Sequence, residues 1–375
     1  MKQRVSNIIL VIILMMTLIF AQPVHASSEY STVDLGTLGS FFGYAYAINN
    51  DGQVLGQSYT PSERPQSFLW QNGVVTDLGT LGSDGETEAR DINESGQIVG
   101  VSQSPLGSRA FLWQDNIMTN LGTLGGDLSF AQDINEQGQI IGASRTVAGG
   151  LHAFLWQNGV MTDLGSLDSG YDYSEATAIN ARGEVVGQSI AASGQFHAFL
   201  WKDGVMIDLG ILGGTYSYAI AINVRSQVVG VADTASGETH AFLWKDGVMT
   251  DLGTLGGNYT YPQDLNNHGQ IVGDSYTASG ALHGFLWQDG VMTDLGTLPG
   301  GSSSSALDIN ERGQVVGQAD NGSVGLAFLW QQGTMIGLGT LGGSHTTGIA
   351  INDSGQIVGQ GILVSGESHA VLWTK

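Results

Sequence analysis

The stretch HAFLWKDGVMTDLGTLGG (His240 to Gly257) recurs along the 375-residue chain so closely that one copy predicts the next. Its tryptophan marks the period. Trp70, Trp113, Trp156, Trp201, Trp244, Trp287, Trp330 and Trp373 are 43 residues apart, with one interval of 45, and each ends an FLW or VLW triplet. Repetition at a fixed period of this size is the signature of a repeat architecture, so the fold is read from one unit and its neighbours.

Each unit reads as four short strands. In the fifth, YAIAIN (218–223) is strand A, QVVGVA (227–232) is B, HAFLW (240–244) is C and VMTDL (248–252) is D. None of these segments carries a helical period. Between A and B stand NNDG, NESG, NEQG, NARG, NVRS, NNHG, NERG and NDSG. The leading Asn caps a type I turn, and the fourth residue supplies a left-handed position that suits Gly. The eight Asn therefore read as turn residues rather than as a ligand ring, and Ser226 in place of that Gly implies local strain. Between C and D, WQNGV and WKDGV place Asn-Gly or Asp-Gly at the centre of a type I′ hairpin. The strands are apolar on both faces, so each small sheet needs covering on both sides, and stacked neighbours supply the cover.

Four-stranded antiparallel units of this length fit an all-β, eight-bladed β-propeller, with a linear solenoid as the competing arrangement. The termini favour the ring. The last unit stops at HAVLWTK, a strand C without a D, whereas EYSTVDLG (29–36) is a strand D without a C. The two halves complete each other, and the expected closure pairs strand 29–36 with strand 369–375.

The eight copies also show where change is tolerated. The A–B turn and the C–D hairpin keep their lengths. From DLG to the strand A Asn the distance is 15, 16 or 17 residues, and from that Asn to Trp it is 21 or 20. The D–A and B–C connections lie at one end of every unit, so one rim is fixed and the other varies; the variable rim is the expected binding surface. The D–A segments hold Tyr44, Tyr46, Tyr171, Tyr173, Tyr216, Tyr218, Tyr259 and Tyr261, eight of the eleven tyrosines. Such rings stack on sugars or anchor a protein partner, and they also fill gaps between blades. Unit four inserts DSGYDYSE, where Asp168, Asp172 and Glu175 form a calcium candidate that matches no EF-hand spacing.

His152, His197, His240, His283 and His369 precede the AFLW segment or its variants. The hairpin register puts His240 diagonal to Asp251, and likewise His152 to Asp163, His197 to Asp208, His283 to Asp294 and His369 to Asp34. The pair changes as a unit in two cases, Leu326 with Gly337 in unit seven and Arg109 with Asn120 in unit two, and unit one is the exception with Gln66 against Asp77. Five repeated copies read as a structural latch. Zinc would need ligands that converge on one ion, and repeats splayed around a ring keep equivalent side chains apart.

Asp91, Asp133, Asp264 and Asp308 stand two residues before the strand A Asn, while the other four units carry Ala there. Carboxylates facing a central channel are the strongest case for an enzyme, a glycan-active hydrolase. Nothing else in the chain suggests a nucleophile, a phosphate loop or a catalytic residue, and LGTLGG precedes a strand rather than a helix, so the expectation is a chain without enzymatic activity or cofactor.

Composition sets the compartment and excludes some partners. Lys2 and Arg4 precede the apolar run Ile8 to Phe20, and Val24 and Ala26 fit the −3 and −1 positions of a cleavage site, so residues 1–26 read as a signal peptide and 27–375 as one repeat domain. No other segment is apolar enough to span a bilayer. The chain carries −22; the first 26 residues hold two of the 12 basic and none of the 34 acidic residues, so the mature chain carries −24. Nucleic acid is an unsuitable partner for it. There is no Cys and therefore no disulfide.

The HAFLW, INxxGQIVG and DLGTLGG segments, recurring in that order over residues 30–375, resemble the HAF family of probable extracellular repeat proteins. The resemblance implies export and repetition and transfers no activity to any residue. The function expected is a secreted, monomeric binding scaffold for a glycan or a protein, with a purely structural envelope or matrix component as the competing role.

Overall fold

The computed structural model describes residues 29–61, 63–82 and 85–375. The expected signal peptide lies outside the described residues. Within them the chain forms 32 strands and no helix, so no helix is long and apolar enough to cross a membrane.

Unit five runs A (Gly213–Ile222), B (Val228–Thr234), C (Thr239–Lys245) and D (Val248–Asp251), each antiparallel to the next. The A strand begins five residues before the expected start. It is ten residues long in units three, five, six and eight, where LGG runs directly into it, and six residues long in the others. The turn chemistry follows the sequence. Asp246 and Gly247 have φ of 51° and 85°, both left-handed as a type I′ turn requires.

The Asn of the A–B turn does more than cap it. Asn223 Oδ1 accepts the N–H groups of Arg225 and Gln227, while its Nδ2 donates to the carbonyl of Asn266 in the next unit at 3.1 Å. The same inter-unit bond runs from Asn49 to Asn93 and onward through Asn135, Asn180, Asn223, Asn266 and Asn310 to Asn352, whose Nδ2 reaches the carbonyl of Asn49 at 3.0 Å. Eight turn residues thus form a belt that ends where it starts.

Packing has the same order. Phe242 is fully buried with Leu200, Leu209 and Val186 of unit four, and Val229, Ala241 and Leu243 on the other face of the same sheet pack on Leu265, Ile271 and Phe285 of unit six. Eight such clusters hold the units together, one of them joining Leu35, Val54 and Phe68 to Val358, Ala370 and Leu372. Each buried Phe contributes roughly 2–3 kcal/mol. The strand at Ser31–Gly36 pairs antiparallel with Ser368–Thr374, from Ser31 opposite Thr374 to Asp34 opposite Val371.

Eight separate four-stranded sheets are not what the hydrogen bonding gives. A parallel bridge between Thr239 and Tyr259 joins units five and six, and another between Gly325 and His345 joins seven and eight, so there are two eight-stranded mixed sheets and four four-stranded antiparallel ones. The cause lies in the long A strands. In units six and eight the long strand includes the residue that bridges to the preceding C strand; the same parallel bridge forms at Phe42–Ser368 and Leu151–Tyr173, but there the short A strand begins one residue later and the sheets stay separate.

Candidate functional site

The candidate site is built on the A strands, which contact one another from unit to unit. Each A strand shifts register by one residue against its B strand, between Ala219 and Ala221 in unit five. The B strand Gly opposite makes room: a Cβ on Gly230 would lie 2.1 Å from the Tyr218 carbonyl oxygen and 2.8 Å from the Phe242 ring. Side chains then alternate. Ser217 and Ala219 are buried between units, and Tyr216 and Tyr218 on the other side are half-buried.

Counted back from the turn Asn, the position five residues earlier carries Tyr44, Glu88, Phe130, Glu175, Tyr218, Tyr261, Ser305 and Thr347, all half-buried except the exposed Glu88. Between these variable residues stand the constant small ones, Ala45, Ala89, Ala131, Ala176, Ala219, Pro262, Ala306 and Gly348. The sequence pattern of eight copies held this alternation, which would have pointed to Glu88, Phe130, Arg90 and Gln132 as well as to the tyrosines.

Two groups result. In units four to six, Tyr173, Glu175, Tyr216, Tyr218, Tyr259 and Tyr261 lie on neighbouring A strands at the variable rim. Burial, then the Glu175 carboxylate and the phenols of Tyr261, Tyr216 and Tyr173, push Tyr218 well above its ordinary value. Burial and Glu175, which accepts the Tyr173 hydroxyl at 3.0 Å, push Tyr173 up to about 12. Burial raises Tyr216, Tyr259 and Tyr261 as well. The rings of Tyr259 and Tyr261 stack with centroids 6.4 Å apart. Among the described residues nothing accepts a hydrogen bond from the hydroxyls of Tyr216, Tyr218, Tyr259 or Tyr261. Tyr171 is exposed, at the B–C loop of its own unit beside Gly194.

In units one to three, a cavity of about 470 Å³ is lined by Tyr44, Tyr46, Gln57, Glu88, Arg90 and Gln132. Arg90 pairs with Glu88 at 3.2 Å, bonds Gln132, and stands 5.4 Å from the Phe130 ring centroid. Tyr44 and Tyr46 differ from the free tyrosines: their hydroxyls donate to Gln57 at 2.9 Å and to the Ala89 carbonyl at 2.6 Å.

The four aspartates before the turn Asn fall into two pairs. Asp91 Oδ2 and Asp133 Oδ1 accept the same Ile134 N–H, at 3.1 and 2.7 Å, and Asp133 Oδ2 accepts Ile179 N–H at 2.8 Å. Asp264, Asp308, Ile309 and Ile351 repeat the arrangement four units on, at 3.3, 2.8 and 2.7 Å. Burial and then the partner's charge push Asp133 and Asp308 well above the usual carboxylate range, and burial raises Asp264. Adjacent aspartates therefore differ in role, which the sequence pattern alone did not reveal.

The His–Asp pairs lie outside both groups. Nδ1 of His152, His197, His240, His283 and His369 sits 2.8–3.0 Å from the carboxylates of Asp163, Asp208, Asp251, Asp294 and Asp34. Each Asp Oδ1 also accepts the N–H of the Gly two residues on, at 2.7–2.8 Å.

The three carboxylates of the calcium candidate have partners of their own. Asp172 Oδ1 lies 2.6 Å from His152 Nε2, Glu175 takes the Tyr173 hydroxyl, and Asp168 caps Gly170 N–H at 2.7 Å. Among the described residues no group of three His, Asp or Glu is arranged to hold a metal ion.

No protein-family model matches the chain, and no curated protein matches it. Solved structures do. The β-propeller domain of the Trilobed protease from Pyrococcus furiosus is similar at a TM-score of 0.52 and 11% identity, over 80% of this chain and 98% of that one. A puromycin-hydrolyzing peptidase of Mycobacterium tuberculosis is similar at 0.52 and 13%, over 82% of this chain and 56% of that one, so this chain spans just over half its length. TolB from Acinetobacter baumannii is similar at 0.42 and 11%, over 92% of this chain and 80% of that one. The likeness shows the β-propeller fold. It also corrects the expectation of a chain without enzymatic activity: the same architecture occurs in peptidases, so the fold gives no ground for excluding catalysis.

Proposed function

We propose that the chain is an exported, closed eight-bladed β-propeller of the HAF repeat type that binds a glycan or a protein on its variable rim. One observation carries the reading. Tyr216, Tyr218, Tyr259 and Tyr261 are half-buried on adjacent A strands, yet their hydroxyls have no partner among the described residues. A ring held firmly by packing, with its polar tip unused, offers contact area at little entropic cost and a hydrogen bond for a hydroxylated or amide ligand. Tyr173 and Tyr171 extend this surface into unit four, and Tyr44 borders the separate cavity of units one to three.

The test is a glycan array probed with the full-length chain and with a Tyr216→Ala, Tyr259→Ala variant. The expected result is binding to a restricted set of glycans that the double variant loses. Absence of binding to any glycan, together with no captured protein partner, would favour the structural envelope or matrix role. A hydrolytic reading draws on the Asp91–Asp133 and Asp264–Asp308 pairs; turnover of a bound glycan that stops in an Asp133→Asn variant would favour it.

A further inference from the structure

The eight A–B turns belong to the rim whose length never changes, but their departures from one another gather in one place. The residue after the turn Asn is Asn50, Glu94, Glu136, Ala181, Val224, Asn267, Glu311 or Asp353. Where this side chain carries an oxygen, it accepts the backbone N–H of the equivalent residue one unit back. Asn50 N–H donates to Glu94 at 2.8 Å, Glu94 to Glu136 at 3.1 Å, Val224 to Asn267 at 3.0 Å, and Asp353 to Asn50 at 2.9 Å. Ala181 and Val224 break this second belt. Two consecutive units therefore lack the oxygen that the others place there.

Basic side chains gather in the same two units, although Arg312 of unit seven holds the same turn position as Arg182 and Arg225. Arg182 and Arg225 stand in their A–B turns, and Lys202 and Lys245 replace the Gln that opens the C–D hairpin in five other units. Among the described residues, Arg182, Arg225 and Lys245 pair with no carboxylate, nor does Arg312, but only units four and five add a Lys at the neighbouring C–D hairpin; Arg90, Arg145 and Lys375 are paired. Two further exceptions touch one another across the unit boundary. Glu184 replaces the Gln of seven other turns, and Ser226 replaces the Gly, holding φ at 59° where a side chain is disfavoured. Ser226 Oγ–H donates to Glu184 Oε2 at 2.7 Å, Lys202 Nζ meets Oε1 at 2.7 Å, and Arg182 Nη1 lies 3.4 Å from Ser226 Oγ. Burial alone would raise Glu184, but its bonds to Lys202, Ser226 and Asn180 outweigh burial and hold it ionised.

Beside this cluster lies a cavity of about 350 Å³, lined by Gln139, Arg182, Glu184, Trp201, Lys202 and Asp203. Its size suits a small-molecule site. We infer that this corner of the fixed rim binds an acidic saccharide, with the sugar carboxylate on Arg182, the ring against Trp201 and the hydroxyls on Gln139 and Asp203. The chemistry chooses the ligand. Unpaired cations on a chain of net charge −22 select an anion, while Asp203, with the ionised Glu184 behind it, disfavours a densely charged ligand and accepts hydroxyl groups. One negative charge on a hydroxyl-rich ring satisfies both. Arg225 and Lys245 supply attraction at longer range, and Ser226 positions Glu184 and Arg182. The site is independent of the tyrosine rim, which lies at the other end of the units.

The experiment is isothermal titration of the full-length chain with trigalacturonate, with galactotriose as the neutral match and hexaglutamate as the acidic peptide. Trigalacturonate is expected to bind, to weaken as salt is raised, and to exceed both others by at least about tenfold. Arg182→Gln is expected to weaken it by at least about tenfold with the melting temperature unchanged. An Arg225→Gln, Lys245→Gln double variant, exposed at both positions, gives a smaller loss in the same direction if Arg182→Gln disturbs folding. Tyr216→Ala with Tyr259→Ala should leave this affinity intact. The inference is overturned if trigalacturonate does not bind, if galactotriose or hexaglutamate binds as well, if the basic variants bind normally, or if the tyrosine variant abolishes binding, which places the sugar on the other rim.

Discussion

Asp91 and Asp133 share one donor: the Ile134 N–H lies 3.1 Å from Asp91 Oδ2 and 2.7 Å from Asp133 Oδ1. Two carboxylates brought this close repel each other when both are ionised, which favours the protonated form of Asp133. Asp133 is pushed well above its ordinary 3.8, by burial first and Asp91 second. A carboxyl whose pKa is raised on folding stabilises the fold below its unfolded value and loses that contribution as pH climbs through the folded one. Asp91→Asn removes the charge that faces Asp133: its amide donates to Asp133 and its oxygen keeps Ile134. The variant should melt higher than the parent at about pH 8, and its advantage should shrink toward pH 4 as Asp133 takes up its proton. Calorimetry across that range checks it, and parallel curves for variant and parent would contradict the repulsion between the two carboxylates. Asp264→Asn should act alike.

The repeat was legible because turn chemistry is local. Asp246–Gly247 fixes a hairpin through its own φ angles, and from that register the neighbours Phe242 and Asp251, and diagonally His240, follow by counting. Relations between units were harder to read. Nothing within one copy says that the Asn223 amide spans to Asn266, that Asp91 and Asp133 meet, or that Ser226 finds Glu184, since each contact crosses about 42 to 44 residues and depends on how units stack. Loop length drew attention to one rim. Residue identity at constant length, as in Ala181, Arg182 and Glu184, carried the signal of the other.

Asp274 should give a separate step in the pH profile. Its carboxylate reaches into the next unit, accepting Ala306 N–H at 3.1 Å and the Ser305 hydroxyl at 3.0 Å, yet burial outweighs these bonds and raises it to about 6. Its contribution is present below its ordinary 3.8 and lost as pH rises to about 6. Asp274→Asn keeps the Ala306 bond and donates to Ser305, so above about pH 6 it should gain on the order of 2 kcal/mol over the parent, with no gain at about pH 3.5. Denaturant titrations at the two pH values read the difference.

His369 Nδ1 and Asp34 Oδ1, 2.8 Å apart, join residues 335 positions distant in the chain. The four equivalent pairs lie within single hairpins, where the turn already holds the strands. His240→Ala should therefore cost about 1 kcal/mol and no more. His369→Ala should cost a similar amount globally but also loosen Ser31–Gly36, which no turn connects to Ser368–Thr374. Hydrogen exchange separates the cases: amides of residues 31–36 should lose protection in His369→Ala and keep it in His240→Ala.

Two glycines should respond to alanine for different reasons and by different amounts. Gly253 has φ of 73° with nothing within 4 Å of an added Cβ, so Gly253→Ala meets only the left-handed backbone penalty, about 1 kcal/mol. Gly230 has open backbone angles but no room. An added Cβ would stand 2.1 Å from the Tyr218 carbonyl oxygen and 2.8 Å from Phe242, and neither group is the free end of a flexible chain. Relief requires the A strand to move at its register shift, so Gly230→Ala should cost roughly 3 kcal/mol. The movement would also displace Tyr216 and Tyr218, which that strand carries to the rim. If the tyrosines form the binding surface, Gly230→Ala should weaken glycan binding while Gly253→Ala, despite its own loss of stability, leaves it unchanged. Equal binding by both variants would mean that the rim ligand does not depend on where the A strand holds these rings.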